Sequence, residues 1–302
     1  MAGRDLENQF RGAVERLHDS PIRKLRLIGP RRYLTRECAG FFGSATEREA
    51  ELFFGGAMTV VLPEMIFRQL YVYGLFDELV TGMVLRAVRQ GDVVLDVGAH
   101  FGYFTLLFSR LVGESGRIVS LEPISSTFAV LQRNAAHLSN VTRLKVAAGR
   151  HNGSLTISDF GLTYSAWNTV SVSSRLPTQV AQPKARVEVA VIRLDDWCER
   201  KGIHPTLIKI DAENFETEVI DGLAETLARS HPRILMETDS AQAIRAGKAL
   251  MDLDYHVFVS TQTGVLTLQK DRVEEALIRH KDVLFVHGPQ MTKFLDYAGA
   301  PA

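Results

Sequence analysis

Acidic residues in this chain stand at the ends of short apolar runs. The run from Val93 ends in Asp96, and Arg117–Leu121 is followed by Glu122 and Pro123. Leu207–Ile210 is followed by Asp211, Glu213 and Glu216, and Arg233–Met236 by Glu237 and Asp239. These runs lack helical spacing and read as strands buried on both faces of a parallel sheet. Carboxylates at the same end of successive parallel strands collect where open α/β sheets bind ligands, and packing alone does not require them there. They suit three kinds of chemistry: holding a cation, accepting the hydroxyls of a ribose, and taking a proton from a hydroxyl nucleophile. Asp211, Glu213 and Glu237 are the candidates for proton transfer. Asp211 and Glu237 are also the candidates for a divalent cation such as Mg²⁺, because oxygen-rich sites suit that ion.

Between the first run and an apolar, helix-compatible stretch, Tyr103–Val112, lies Gly98-Ala99-His100-Phe101-Gly102. Strand, glycine turn and helix start together form a ligand cradle, with free N–H groups and a positive dipole end. Glycine is expected there because a Cβ would block close approach of the backbone to a ligand. The dinucleotide fingerprint wants glycine at the first, third and sixth places, here Gly98, His100 and Tyr103, so two of the three are missing. Asp96 would repel a diphosphate but suits a sulfonium carrying an ammonium group. The loop therefore favours S-adenosyl-L-methionine over a nicotinamide dinucleotide. Its expected contacts are Asp96, Gly98, Ala99, His100, Gly102, Tyr103 and Phe104. Glu122, some twenty residues past the loop, is placed for the ribose hydroxyls with Pro123 beside it, and Asp211 completes the set. His100 is read as a hydrogen-bonding side chain rather than an acid or base.

VLDVGAHFGYFT, SLEP, VIRLDDW, LIKIDAENFETEVIDGL and PRILMETD occur in that order. In that series the chain resembles the FkbM-type S-adenosylmethionine-dependent methyltransferases, from about Gly74 to Gly288. At two positions it differs from the family's usual pattern: His100 stands where Asn is usual, and Asn214 where Gly is usual. The resemblance implies a class I methyltransferase fold, a Rossmann-like, seven-stranded, doubly wound α/β sheet with its last strand antiparallel. It also implies O-methylation of a hydroxyl on a sugar, glycan or secondary metabolite. The segment before the first strand would close over the cofactor pocket, with Tyr71, Tyr73 and Glu78 as contacts. Two rival functions stay open: a cofactor-binding interaction protein that no longer methylates, and a nicotinamide-dependent oxidoreductase.

At 302 residues, 46% hydrophobic and 23% charged, the composition is that of an ordinary globular protein. Lys+Arg and Asp+Glu are both 35, and a neutral chain argues against nucleic acid as the main partner. Cys38 and Cys198 offer no metal spacing. No apolar run is long enough for a membrane span, and no secretory signal is evident, so a cytoplasmic location is expected. Residues 1–73 read as an extension: an amphipathic helix over Arg4–His18, a basic linker holding Arg23, Lys24, Arg26, Arg31 and Arg32, and a short strand. Docking of that helix on its own domain and a homodimer contact both stay open. Residues 74–290 read as the catalytic domain and 291–302 as a tail. From about 150 to 193 the regular alternation stops, and the β-rich insertion reads either as an ordinary β-excursion or as a flap whose Tyr164, Trp167 and Asn168 would shape the acceptor site. Asp195 and Asp196 read as first-turn charges of their own helix.

Overall fold

The computed structural model describes residues 2–19, 46–62, 65–168, 182–261, 265–269 and 273–298. The basic linker, Cys38, and the part of the insertion from 169 to 181 lie outside the described residues.

Among the described residues, eight strands form the main sheet. They are β3 (Val93–Val97), β4 (Arg117–Leu121), β5 (Val141–Leu144), β9 (Leu207–Ile210), β10 (Arg233–Glu237), β11 (Tyr255–Thr261), β12 (Val265–Leu268) and β13 (Asp282–His287). Their order is β12-β11-β13-β10-β9-β3-β4-β5. β3, β4, β5, β9 and β10 pair in parallel. β13 runs antiparallel between β10 and β11. The expected seven-stranded sheet with its antiparallel final strand is therefore present, and β12 adds an eighth strand by pairing antiparallel with β11.

Side chains alternate along each strand into two cores, one per face. Val94, Ile118, Leu207 and Leu284 enter the first, while Leu95, Val119, Ile208 and Phe285 enter the second. The first face is covered by α1 (Ala2–His18), α2 (Met65–Tyr73), α3 (Glu78–Ala87) and α4 (Tyr103–Val112). Leu6, Phe10 and Ala13 of α1 belong to this core, so the first helix docks on its own domain. β1 (Thr46–Glu51) and β2 (Ala57–Leu62) form a separate antiparallel pair on the same side.

The stretch from Val141 to Ala148 divides in two. β5 stays in the main sheet, whereas β6 (Ala147–Ala148) leaves it to pair with β8 (Ala185–Ile192), which also pairs with β7 (Gly153–Asp159). The insertion is thus a three-stranded sheet with a 3-10 helix (Leu162–Trp167) after β7. Met291–Ala298, read as a tail, is a helix whose Phe294 is 1% exposed and packs edge-on against Phe258.

Candidate active site

A cavity of about 580 Å³ opens at the carboxyl ends of β3, β4, β9 and β10, in the size range of small-molecule sites. Gly98, Ala99, His100, Tyr103 and Phe104 line it, together with Glu122, Pro123, Asp211, Glu213 and Glu237. Ala147 and Ala148 form a small-residue wall, and Phe67, Leu70 and Phe76 an apolar one. Ser165, Ala166 and Asn168 reach it from the insertion.

The glycines act differently from the expectation. Gly98 has φ 74, and a Cβ there would collide with the carbonyl oxygen of Asp211. Gly102 has φ 94, and its Cβ would meet Leu131 at 2.7 Å. What they permit is the packing of the loop against β9 and the helix after β4, not room for a ligand. The N–H groups of Gly98 and Ala99 both donate to the carbonyl of Leu121, at 3.1 and 2.9 Å.

Asp96 is fully buried and does not line the cavity. Its Oδ2 accepts the Thr105 hydroxyl at 2.6 Å, and that hydroxyl also meets Ser120 Oγ at 2.8 Å. Burial pushes its carboxyl above the usual range. Asp96 therefore anchors α4 to the end of β3, and the carboxylate presented to a ligand on this side is Glu122. Glu122 Oε1 accepts the N–H of Ile124 at 2.9 Å and Oε2 the N–H of His100 at 3.2 Å. Burial outweighs these two bonds and raises its carboxyl to about 7.

His100 sits at φ 52, a left-handed conformation that His and Asn tolerate better than most residues. Its ring stacks on Phe101 at 4.5 Å and on Phe67 at 5.5 Å, and Nε2 lies 2.8 Å from Ser165 Oγ. Burial lowers its basicity to about 4, so the imidazole is neutral. Asn214 has φ 75 and Glu213 φ 48, so the turn after β9 needs the freedom that glycine gives and asparagine approximates.

Across the cavity, Lys209 Nζ donates to Asp211 Oδ2 at 3.0 Å. Burial would raise the Asp211 carboxyl, but the Lys209 ammonium holds it down to about 2. Glu213 is pushed up to about 8 by burial and by the Asp211 charge. Glu237 moves up for the same two reasons, while Lys281 Nζ bonds its Oε1 at 2.6 Å. Oxygens of Asp211, Glu213 and Glu237 lie within 4.8 Å of one another.

Tyr73 and Glu78 do not line the cavity. Tyr73 is buried in the first core, and Glu78 pairs with His18 of α1 at 2.6 Å. Lys209, Lys281 and Ser165 also line the cavity, beyond the residues expected from the sequence. Lys209 had a signal, since a lysine inside a buried strand must find a partner; Ser165 had none.

A family model, the methyltransferase FkbM domain, matches residues 96–258. The chain belongs to the FkbM methyltransferase family. The 31-O-demethyl-FK506 methyltransferase FkbM of Streptomyces tacrolimicus is 28% identical over 165 residues, 46% of this chain. The match spans 62% of that protein's length. A crystal structure of methyltransferase FkbM from Methylobacillus flagellatus KT is similar at 16% identity and a TM-score of 0.43, covering 65% of this chain and 43% of that one. Aeropyrum pernix fibrillarin, in complex with natively bound S-adenosyl-L-methionine, is similar at 13% identity and a TM-score of 0.41, covering 80% and 97%. Among the described residues, no helix is long and apolar enough to cross a membrane.

Proposed function

We propose that this protein transfers the methyl group of S-adenosyl-L-methionine to a hydroxyl oxygen of a small-molecule or glycan acceptor. The observation that carries this reading is the cavity itself: Glu122 at the end of β4, the small wall of Ala147 and Ala148 beside it, and ionised Asp211 at the end of β9. These residues fit the donor. Glu122 suits ribose hydroxyls, the alanines a flat ring, and Asp211 a cationic group. Family membership supports methyl transfer, and oxygen as the acceptor atom is supported by the name of the Streptomyces relative.

When bound, the donor supplies an electrophilic methyl on a sulfonium, and the chain's own residues do the rest. Asp211, held near 2 by Lys209, is too weak a base to take the hydroxyl proton and serves as a fixed negative charge. Glu213, raised to about 8, suits the base, because a catalytic pKa works best near the operating pH. The cavity walls would orient the acceptor hydroxyl for attack on that methyl. Asp211 and Glu237 pair with the ammonium groups of Lys209 and Lys281, and the step uses no divalent cation.

A nicotinamide dinucleotide fits less well. Its pyrophosphate needs free loop N–H groups, and those of Gly98, Ala99 and His100 donate to Leu121 and Glu122. Calorimetric titration with S-adenosylhomocysteine and with NADH tests the reading. The homocysteine ligand should bind and NADH should not, and Glu122→Ala should weaken binding by about tenfold or more, the loss expected for hydrogen bonds to a charged group. Absence of heat at millimolar S-adenosylhomocysteine sinks it. Turnover on hydroxylated acceptors separates an active enzyme from a binding module.

A further inference from the structure

His100 joins three separately encoded pieces of the molecule. Its backbone N–H donates to Glu122 Oε2 at 3.2 Å. Its ring lies within 9° of parallel to Phe101 of the loop and to Phe67 of α2. Its Nε2 reaches Ser165 Oγ, in the 3-10 helix of the insertion, at 2.8 Å. Ser165 is 4% exposed, and its hydroxyl also bonds the carbonyl of Leu162 at 3.3 Å. A carbonyl only accepts and a hydroxyl has one proton to donate. The chain therefore runs one way: His100 Nε2–H donates to Ser165 Oγ, and Ser165 O–H donates to Leu162. A neutral imidazole has a single N–H, and this direction of the chain puts it on Nε2. Ala166 and Asn168, next along the insertion, line the same cavity, and Asn168 Oδ1 accepts the N–H of Phe160 at 2.8 Å.

We propose that His100 and Ser165 are positioning residues that make the acceptor side of the cavity depend on the donor side. The proposal rests on the donor reading above. Glu122 is the group that meets the donor, and the loop residue bonded to Glu122 is the one that carries the insertion. A donor engaging Glu122 fixes the His100 backbone. Through the ring and Ser165 Oγ it holds the 162–168 segment against the cavity. Acceptor binding then follows donor binding, because the wall formed by Ala166 and Asn168 is complete only once the loop is fixed. By linkage, the free energy with which the donor steadies the insertion equals that with which a docked insertion favours the donor.

Hydrogen exchange read by mass spectrometry on the full chain, with and without saturating S-adenosylhomocysteine, tests this. The reporters are the amides of Phe160, Tyr164 and Asn168, which are hydrogen-bonded within the insertion. In the wild type the ligand should slow their exchange by about tenfold, the effect of one well-made hydrogen bond on local opening. In Ser165→Ala, at a ligand concentration shown by calorimetry to saturate the variant, that ligand-dependent slowing should vanish, and affinity should fall by no more than the lost coupling. Ser165→Thr, which keeps the hydroxyl, should restore it. His100→Asn, compared at a ligand concentration that saturates the variant, keeps a side chain that accepts the left-handed backbone but is too short to reach Ser165, and should lose the slowing as well. Slowing that persists in Ser165→Ala and His100→Asn, or a saturated wild type with no slowing, overturns the coupling. Failure of S-adenosylhomocysteine to bind the wild type at all is a different result, and sinks the donor reading itself.

Discussion

Lys209 Nζ and Asp211 Oδ2 lie 3.0 Å apart, with the same ammonium 5.2 Å from the centre of the Phe104 ring. One side chain thus sets the charge of a cavity carboxylate and packs on a cavity aromatic. Lys209→Met removes the ammonium while keeping the apolar stem. It should cost about 2–3 kcal/mol in urea unfolding at neutral pH, less than a fully buried pair because Asp211 is 39% exposed. The depressed Asp211 value contributes stability that is present above 3.8 and lost as pH falls through about 2. The difference between wild type and variant should accordingly narrow below pH 4 or so, and a gap that stays constant would argue against the pairing.

Glu122 has the opposite sign. Its carboxyl is raised from 4.5 to about 7, so it adds stability that is full below 4.5 and lost as pH rises through 7. Between pH 5 and 8 the wild type should lose on the order of 2 kcal/mol relative to Glu122→Gln. Affinity for S-adenosylhomocysteine should move the other way, tightening as the carboxylate ionises. Parallel melting and calorimetric series across that range read both trends.

Gly98→Ala places a methyl against the Asp211 carbonyl at a positive φ. Both the strain and the collision destabilise, by roughly 3 kcal/mol or more together. A soluble, wild-type-like melting curve for this variant would contradict the loop packing described above.

Phe294 is 1% exposed in a segment read from sequence as a tail. Phe294→Ala should cost about 3–5 kcal/mol, as for other buried phenylalanines. Urea unfolding monitored by circular dichroism distinguishes this from the negligible change expected of a free tail.

The sequence read well where periodicity and punctuation agree. The buried strands, the glycine turn after Asp96 and the carboxylates Glu122, Asp211 and Glu237 follow from runs of four or five apolar residues broken by Gly, Pro or acid. What it hid was direction. Asp96 accepts from Thr105, whose hydroxyl also meets Ser120, rather than lining the cavity, and one strand position does not show which neighbour a side chain meets. Asp195 carried the charge expected of a first-turn residue. Its carboxylate instead takes the N–H groups of Glu225 and Thr226, capping a different helix thirty residues on. The left-handed turn at Glu213 and Asn214 was masked because neither is glycine. Ser165 was invisible because its contact, His100, lies 65 residues away in the sequence.

β13 comes late in the chain yet stands between two strands made before it. While the protein is being synthesised, β10 therefore has an open flank, and the β11–β12 hairpin has no place to join. Val257, Phe258 and Phe285 become fully covered only when residues 282–287 have left the ribosome and threaded into the gap. Until then the nascent molecule carries an unsatisfied sheet edge that invites pairing with other chains. A stop between Thr238 and Asp282 would leave that edge permanently open, making such a product a substrate for chaperones and proteases.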